Sequence, residues 1–575
     1  MTLHPSRPKE KLPVVYTSRA KCRDCYRCVR VCPVQAIRMK DGQAEVVTDK
    51  CIACGTCITV CPQHAKAYRT DYGKVLQMLE EGEHPAFSLA PSFVVYYNKW
   101  EQKRLPSAIR MLGFSYVAET AIGAWHTARA TRDYMEEEPQ QAHICTACPA
   151  AVSYVLHKNP ALTGCLVGVA SPMIAHGRLL KKADPARKVV FAGPCVAKKD
   201  EAQWEGNASV IDAVLTFEEL DELFRLKNIH IDQCEESSFN EKVAGEARLF
   251  PLEGGLLRTA GLKTDLLDEH TAAVSGYREV KAALEALAAD PDQQMVIEPL
   301  FCKNGCVNGP FASKSGNVLL DKNKVLSYSQ LHPGLPEEDL KVYGKMETGF
   351  KTVTAKPAQG YPEDRIKEVM KMTGKHQPED ELNCTACGYN SCREKAIAVL
   401  DGMAEPEMCV PFMRRMAEQK FDTMIDHDPN GLILLSKELK ILHMNPAFKN
   451  MFSCSDTLLG KKISYLIDPD PFEKLSTGND TVIRQMVHYG SYNLICHLVA
   501  YVLPKDDQYV GVFIDVTSSQ TSKEKLTEIK TETVIKAQEL IDHQIRMAQE
   551  LAKFLGENTA MGEVLMKKLI DSIKK

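Results

Sequence analysis

Sixteen of the chain's 21 cysteines fall into spacings that suit thiolate ligands better than disulfides. The densest chemistry lies in Leu300-Phe301-Cys302-Lys303-Asn304-Gly305-Cys306-Val307-Asn308-Gly309-Pro310. Two cysteines four apart on a glycine-bearing, non-periodic run suit a backbone wrapped closely around inorganic sulfide. A C-x3-C pair alone describes buried structural cysteines equally well. Two other stretches add to it, Cys145-Thr146-Ala147-Cys148-Pro149-Ala150 and Gly193-Pro194-Cys195-Val196-Ala197-Lys198, each setting a cysteine beside proline in a turn. Cys148, Cys195, Cys302 and Cys306 together could hold one [4Fe–4S] cubane.

Two further runs repeat with a period of 29 residues, Cys22-x2-Cys25-x2-Cys28-x3-Cys32-Pro33 and Cys51-x2-Cys54-x2-Cys57-x3-Cys61-Pro62. This pattern resembles the bacterial two-cluster ferredoxin, in which the first three cysteines of a run hold one cubane and the fourth reaches the other. The resemblance implies Cys22, Cys25, Cys28 and Cys61 on cluster one, and Cys51, Cys54, Cys57 and Cys32 on cluster two. Its chemistry is one-electron transfer. A later run, Cys384-x2-Cys387-Gly388-Tyr389-x2-Cys392 with Cys409-Val410-Pro411, resembles a small four-cysteine [4Fe–4S] domain, with a helix over Arg393–Leu400 closing the loop. Structural zinc is the competing reading for both.

The elements that must position these ligands follow from length and pattern. A chain of 575 residues implies about three to five domains. Charge is balanced, 71 basic against 75 acidic residues, which argues against nucleic acid as a partner. No apolar run of about 18 residues occurs and Met1 to Arg19 is polar, so neither a membrane span nor a signal peptide is expected. The cytoplasm, reducing and here anaerobic, is the expected compartment. From about residue 72 to 350, apolar segments alternate with helical ones. Lys188–Gly193 and Ser209–Leu215 read as buried strands, and Thr216-Phe217-Glu218-Glu219 as a capping box. Parallel sheets whose strand ends carry the ligands are predicted.

These stretches resemble the catalytic domain of [FeFe]-hydrogenases, which interconvert hydrogen with protons and electrons. The family's T-S-C-C-P, M-P-C-x2-K-x2-E and M-A-C-x-G-G-C-x-N-G-G-G are answered here by Thr146-Ala147-Cys148-Pro149, Gly193-Pro194-Cys195-x2-Lys198-x2-Glu201 and Leu300-Phe301-Cys302-x2-Gly305-Cys306-x-Asn308-Gly309. The resemblance implies that the four cysteines hold the cubane. It further implies that Cys306 bridges to a di-iron unit carrying CO, cyanide and a dithiolate, and that Lys198 donates to a cyanide nitrogen. Ala90-Pro91-Ser92 resembles the turn around the other cyanide, and Ser171-Pro172 the turn near the cluster. The departures are equally specific. Ala147 stands where productive hydrogenases have the cysteine that relays protons, and a methyl group relays none. Cys145 is two residues off. Gly193 and Leu300 replace methionines, Met173 replaces a glutamine, and Thr127–Thr131 lacks the acidic pair of the proton path, although Glu201 is kept. Slow turnover is expected, which suits a detector better than a producer.

Beyond the linker region around residues 351–380 and its four-cysteine cluster, Asn430–Leu435, Lys440–Phe448, Ser491–Cys496 and Tyr509–Ile514 read as strands. Asn445-Pro446-Ala447-Phe448 and the exit Asp515-Val516-Thr517 resemble a PAS domain, a small sensor and dimerisation module. Its ligand is left open among haem, flavin and none; His443, His497, Cys454 and Cys496 read as ordinary residues. In the tail, Val534, Ile541, Ala548 and Leu555 repeat every seven residues with Ala537 and Leu551 in support, and a second amphipathic helix follows through Leu565, Leu569 and Ile573. The expected fold class is multidomain, mixed α/β and α+β. It comprises a two-[4Fe–4S] ferredoxin domain (1–71), an H-cluster domain (72–350), a linker and four-cysteine [4Fe–4S] domain (351–419), a PAS domain (420–518) and a coiled-coil tail (519–575). The expected function is hydrogen sensing at low turnover, with the redox change passed through the clusters to the PAS and tail; the alternative is a working, ferredoxin-linked hydrogenase. Expected partners are hydrogen, a redox partner such as ferredoxin, maturation proteins, a downstream kinase or phosphatase, and a second copy of the chain.

Overall fold

The computed structural model describes residues 13–242, 245–262, 270–290, 293–312, 316–330, 346–350, 360–477, 481–503, 507–517, 535–547 and 567–568. The chain divides into two compact units, residues 1–412 and 413–575.

The first unit begins with β1 (Val15–Thr17), β2 (Ile37–Lys40), β3 (Gln43–Val46) and β4 (Lys66–Tyr68), paired antiparallel as β1 with β4 and β2 with β3. Two cysteine loops, each ending in a short helix (Arg27–Val31, Thr56–Thr59), lie between them. Left-handed backbone recurs at equivalent places in the repeat: Asp24 with Ala53, Tyr26 with Gly55, Gln35 with His64. Only glycine adopts this conformation freely, so the other five positions are held there against their own preference.

Seven parallel strands follow: β5 (Ala86–Leu89), β6 (Tyr116–Glu119), β7 (His143–Ile144), β8 (Val189–Gly193), β9 (Ala213–Thr216), β10 (Thr271–Ser275) and β11 (Val296–Leu300). They form a four-stranded sheet in the order β6-β5-β8-β9 and a three-stranded sheet in the order β10-β11-β7. β5, β8 and β9 are buried along their whole length, as strands covered on both faces must be. The predicted strand over Ser209–Leu215 starts later, at Ala213. Residues 207–210 form a turn, and Asp212 accepts from Val189 N (2.9 Å) and Lys181 Nζ (2.9 Å), which fixes the strand's entry. The capping box is present: Glu219 N donates to Thr216 Oγ1 (3.2 Å) and Thr216 N to Glu219 Oε2 (2.8 Å). Glu219 also pairs with the fully buried Lys199 (2.8 Å) and accepts from Asp71 N (2.6 Å), tying the end of the ferredoxin-like segment to the sheet.

Part of the stretch expected to be a linker is a helix, Glu363–Met372. Its Ile366, Val369 and Met370 bury against Ala396 of the helix Cys392–Leu400. Three apolar residues at helical spacing give it a face to bury. This small domain lies on the ferredoxin-like segment. Met39 N donates to Met403 O (3.1 Å), and Arg30 donates to both Cys25 O (3.0 Å) and Ala386 O (3.2 Å).

A helix, Val410–Asp426, starts at the residue after Cys409. In the second unit, β12 (Gly431–Leu435), β13 (Ile441–Met444), β14 (Val482–Tyr489), β15 (Leu494–Leu503) and β16 (Gln508–Asp515) form an antiparallel sheet ordered β13-β12-β16-β15-β14. β14 escaped the sequence reading because its residues up to His488 alternate only between partly buried and exposed. The strand expected over Ser491–Cys496 begins at Leu494, after a turn over Gly490–Tyr492. Asn445 is fully buried and latches this unit. Its Nδ2 donates to Ile425 O (3.1 Å) and Asn430 O (2.8 Å), and its Oδ1 accepts from Leu432 N (2.8 Å) and Phe448 N (2.9 Å). In the D-V-T exit, Thr517 Oγ1 accepts from Ile495 N (2.9 Å) and Thr517 N donates to Asp515 Oδ1 (2.8 Å). Residues 535–547 are helical, with Ala537 and Ile541 among the less exposed. Val534, Ala548, Leu551, Leu555, Leu565, Leu569 and Ile573 lie outside the described residues, so the expected coiled coil does too.

Candidate cluster centres

The carboxyl ends of four parallel strands supply the central site, the place where open α/β sheets bind ligands. β5 runs into Ala90-Pro91-Ser92, β8 into Pro194-Cys195, β11 into Phe301-Cys302, and β7 leads to Cys148. In the larger sheet the order reverses between β5 and β8, and the site opens at that switch. Ala90 N continues the ladder to Ala192 O (2.9 Å), while Ser92, 1% exposed, starts the following helix. Gly305 permits the turn between Cys302 and Cys306: its φ is +85°, and a Cβ there would stand 2.4 Å from Pro251 O. Cys306 N donates to that same carbonyl (2.8 Å). Gly193 has a packing reason, since the Phe191 ring fills the space a side chain would need (2.7 Å).

Cys148, Cys195, Cys302 and Cys306 are brought together. Burial pushes the Cys302 thiol well above its usual value, and Cys195, Cys306, Cys148 and Cys54 each add to the rise. Burial likewise lifts Cys195 to about 11, with Cys148 contributing and Lys198 opposing. Four thiolates in so small and dry a space repel one another unless a cation lies among them, so the donor set fits an iron–sulfur group. Among the described residues no three His, Cys, Asp or Glu side chains close on a point as a single ion requires.

Lys198, on the short helix Ala197–Glu201, points its ammonium at Ser171 Oγ (2.9 Å), Glu201 Oε2 (2.8 Å) and the carbonyl of Ala147 (3.2 Å). Glu201 is buried and so is Ser171, which precedes the helix Pro172–Ala183. Three expected site elements therefore meet at one cation. Cys145 is 1% exposed, and its thiol is pushed well up, first by burial and then by Glu298. Sequence reasoning missed Glu298. This carboxyl is buried inside β11, accepts from Leu256 N (3.1 Å) and Leu257 N (3.2 Å), and is raised by burial to about 7. It also adds to the upward shift of Cys306. A glutamate four residues before a ligand cysteine in an apolar strand was the available signal. Within Thr127–Thr131, Thr127 donates to Ala170 O (2.9 Å) and Arg129 lies over the Trp125 ring (4.7 Å).

In the ferredoxin-like segment, Cys28 responds to Cys25, Cys22 and Cys61, and Cys57 to Cys54, Cys51 and Cys32. The two quartets are thus crossed. Backbone N–H groups aim at sulfur at equivalent repeat positions, Ala36 N to Cys32 Sγ (3.2 Å) and Ala65 N to Cys61 Sγ (3.3 Å). At Cys61 burial is outweighed by the N–H groups of Ala65, Lys66 and Gln63, which hold the thiol below its usual value. The second loop touches the central site: a Cβ on Gly55 would lie 2.5 Å from Pro310 and 3.0 Å from Val196. Cys384, Cys387, Cys392 and Cys409 line one pocket with Lys375 and Lys395. That pocket's loop touches the first quartet's helix, for a Cβ on Gly388 would lie 3.1 Å from the Arg30 backbone.

The interior of the PAS-like unit is filled by its own rings. Phe448, Phe452 and Phe513 are mutually stacked at 4.7–5.2 Å, with Tyr489 and Tyr492 against Phe452. His443 is exposed on β13, His497 is half-buried on β15, and Cys496 is fully buried.

Residues 83–310 match the family described as iron only hydrogenase large subunit, C-terminal domain. Residues 14–62 match a 4Fe-4S dicluster domain, 380–411 a putative Fe-S cluster family and 419–487 a PAS domain. The chain thus joins a domain of the iron-only hydrogenase family to iron–sulfur domains and a PAS domain. The cytosolic Fe-S cluster assembly factor NAR1 of Eremothecium gossypii is 28% identical over 265 residues, 34% of this chain and 58% of that protein. Its counterpart from Kluyveromyces lactis is 37% identical over 73 residues, 13% of this chain and 16% of that protein. The chain therefore spans at most 58% of these curated relatives. An [FeFe]-hydrogenase variant from Chlamydomonas reinhardtii aligns at 17% identity and a TM-score of 0.38, covering 45% of this chain and 88% of that one. The PAS domain of an HTR-like protein from Haloarcula marismortui aligns at 12% identity and a TM-score of 0.16, covering 18% and 98%. No helix among the described residues is long and apolar enough to cross a membrane.

Proposed function

We propose that this protein is a hydrogen-sensing [FeFe]-hydrogenase of low turnover. Cys148, Cys195, Cys302 and Cys306 would hold a [4Fe–4S] cubane, and Cys306 would also serve a di-iron CO/cyanide/dithiolate unit. When bound, that unit supplies the splitting of hydrogen into protons and electrons. Lys198 offers a fixed positive charge to an anionic ligand; its three donors are held by Ser171, Glu201 and the Ala147 carbonyl, so a hydrogen bond to that ligand would displace one of them. Ala90, Pro91, Ser92, Ser171 and Pro172 form the wall. Ala147 presents a methyl group where a proton must leave, and this observation carries the sensor reading: the machinery for holding the group is present and the step for moving protons is throttled.

With clusters bound, Cys302 would face the quartet containing Cys54, and the quartet containing Cys28 the pocket of Cys384, Cys387, Cys392 and Cys409, a succession that would suit one-electron transfer. The PAS unit and the helical tail then carry the change to a separate signalling partner, with the chain as a homodimer in an anaerobic cytoplasm. The likeness to NAR1 supports a second reading, an iron–sulfur protein without the di-iron unit.

Infrared spectroscopy of anaerobic protein, matured or loaded with a synthetic di-iron group, separates the two. The sensor reading expects sharp CO and cyanide bands that shift on replacing argon with hydrogen. A full cubane that never shows bands would sink it in favour of the second.

A further inference from the structure

The pocket lined by Cys384, Cys387, Cys392 and Cys409 is built differently from the other candidate cluster sites. Two lysines are buried in it, Lys375 at 8% and Lys395 at 3% exposure. Lys375 uses all three ammonium donors, on Thr373 O (3.3 Å), Thr373 Oγ1 (3.0 Å) and Cys409 Sγ (3.3 Å). Lys395 donates to Pro406 O (2.8 Å), and Cys409 and Cys387 are the thiols nearest it in charge. No carboxylate pairs with Lys375 among the described residues, so the thiolates are its counter-charge. By contrast, Lys66, the cation that acts on both ferredoxin-like quartets, spends its donors on Thr17 Oγ1 (2.5 Å) and Ala44 O (3.4 Å), not on sulfur. Cys384 is also exposed and Cys392 partly so.

A cubane with four thiolate ligands is anionic and gains one negative charge on reduction. A buried ammonium donating to a ligand sulfur, a second buried cation and access to water all favour the more negative state, and so raise the potential. We propose that the Cys384–Cys409 cluster is the electron sink of the relay, and that Lys375 sets it there through its hydrogen bond to Cys409. The source of electrons rests on the hydrogen reading above. One hydrogen molecule releases two protons to solvent and two electrons. The fourth cluster takes one electron and the adjacent quartet of Cys22, Cys25, Cys28 and Cys61 takes the other. Lys375 is a positioning residue for charge. Its sulfur partner is the residue after which the helix Val410–Asp426 begins, so the stored electron sits at the root of that helix.

The test is an EPR-monitored redox titration of the full chain, anaerobically reconstituted with iron and sulfide and reduced chemically, without hydrogen or the di-iron unit. The native protein should show one cluster reducing ahead of the rest by at least tenfold in equilibrium constant, about 59 mV for a one-electron couple. That signal should be absent in Cys387→Ala. Lys375→Met should move this wave alone to lower potential by about tenfold, while Lys375→Arg, which keeps a charged donor, restores most of it. Should the methionine variant fail to load its cluster, Lys375→Gln carries the same direction with a smaller shift. A first-reduced cluster that survives Cys387→Ala, or a wave unmoved by loss of the lysine, overturns the proposal. Because the reductant is chemical, failure here is separable from failure of the infrared test.

Discussion

At the scale of single residues, the position of greatest consequence is Ala147. On the proposed function, placing a thiol there by Ala147→Cys would supply a proton relay. Hydrogen turnover should rise by about 10²–10⁴, the usual worth of a positioned proton donor, while the infrared bands stay put. An unchanged rate would mean that protons already leave by another route. Glu298 gives a pH-dependent expectation. Its carboxyl holds its proton up to about pH 7 in the folded chain, against a usual value of 4.5. Below the lower value its contribution is intact; as pH rises through the window it is lost, by about 3 kcal/mol. Glu298→Gln carries no charge at any pH but leaves one of Leu256 N and Leu257 N without an acceptor, at a cost of about 1 kcal/mol. The variant's first unit should therefore melt below the native one near pH 5 and above it near pH 8. Parallel melting curves across that range would contradict the assignment. Ala147 was legible in the sequence because a motif fixes its address. Glu298 was not, because its neighbours Cys145, Leu256 and Leu257 come from other parts of the chain.

At the scale of elements, the contact between the second cysteine loop and the central site depends on one glycine. Gly55→Ala combines a left-handed φ of +79° with a Cβ 2.5 Å from Pro310. The conformational cost alone is about 1–2 kcal/mol, and the clash must part the loop from Cys302 and its neighbours. Infrared bands at the central site should persist, while reduction of the relay under hydrogen slows, as followed by stopped-flow absorbance. Equal rates would show that this contact is not on the electron path. Elements were legible where local chemistry sets them: the Thr216–Glu219 capping box, and β8, whose burial on both faces leaves a continuous apolar run. They were misread where a side chain from elsewhere decides. Asp212, claimed by Lys181 and the β8 backbone, holds the chain out of the sheet until Ala213. The helix Glu363–Met372 is polar on average and gains its place from the Ala396 face, which a charged stretch of sequence does not advertise.

For the whole molecule, the two units have separate hydrophobic cores, so on the proposed function a chain ending at residue 412 should still bind the proposed clusters and give the hydrogen-dependent infrared shift. Loss of the shift on truncation would show that the PAS unit supports the site itself. The order of the modules was readable because cysteine spacing punctuates it; which loops touch was not, since such contacts are made by backbone, at Gly55 and Gly388. The repeated left-handed turns have a consequence for the lifetime of the protein. Asp24, Tyr26, Gln35, Ala53 and His64 are bent against preference, and iron bonds to the flanking sulfurs keep them so. Loss of the metal would release these turns, and the surrounding loops should then be cut more readily by proteases in the metal-free protein than in the cluster-loaded one. On the function proposed above, copies that had lost their metal would then be removed before they could compete for a signalling partner.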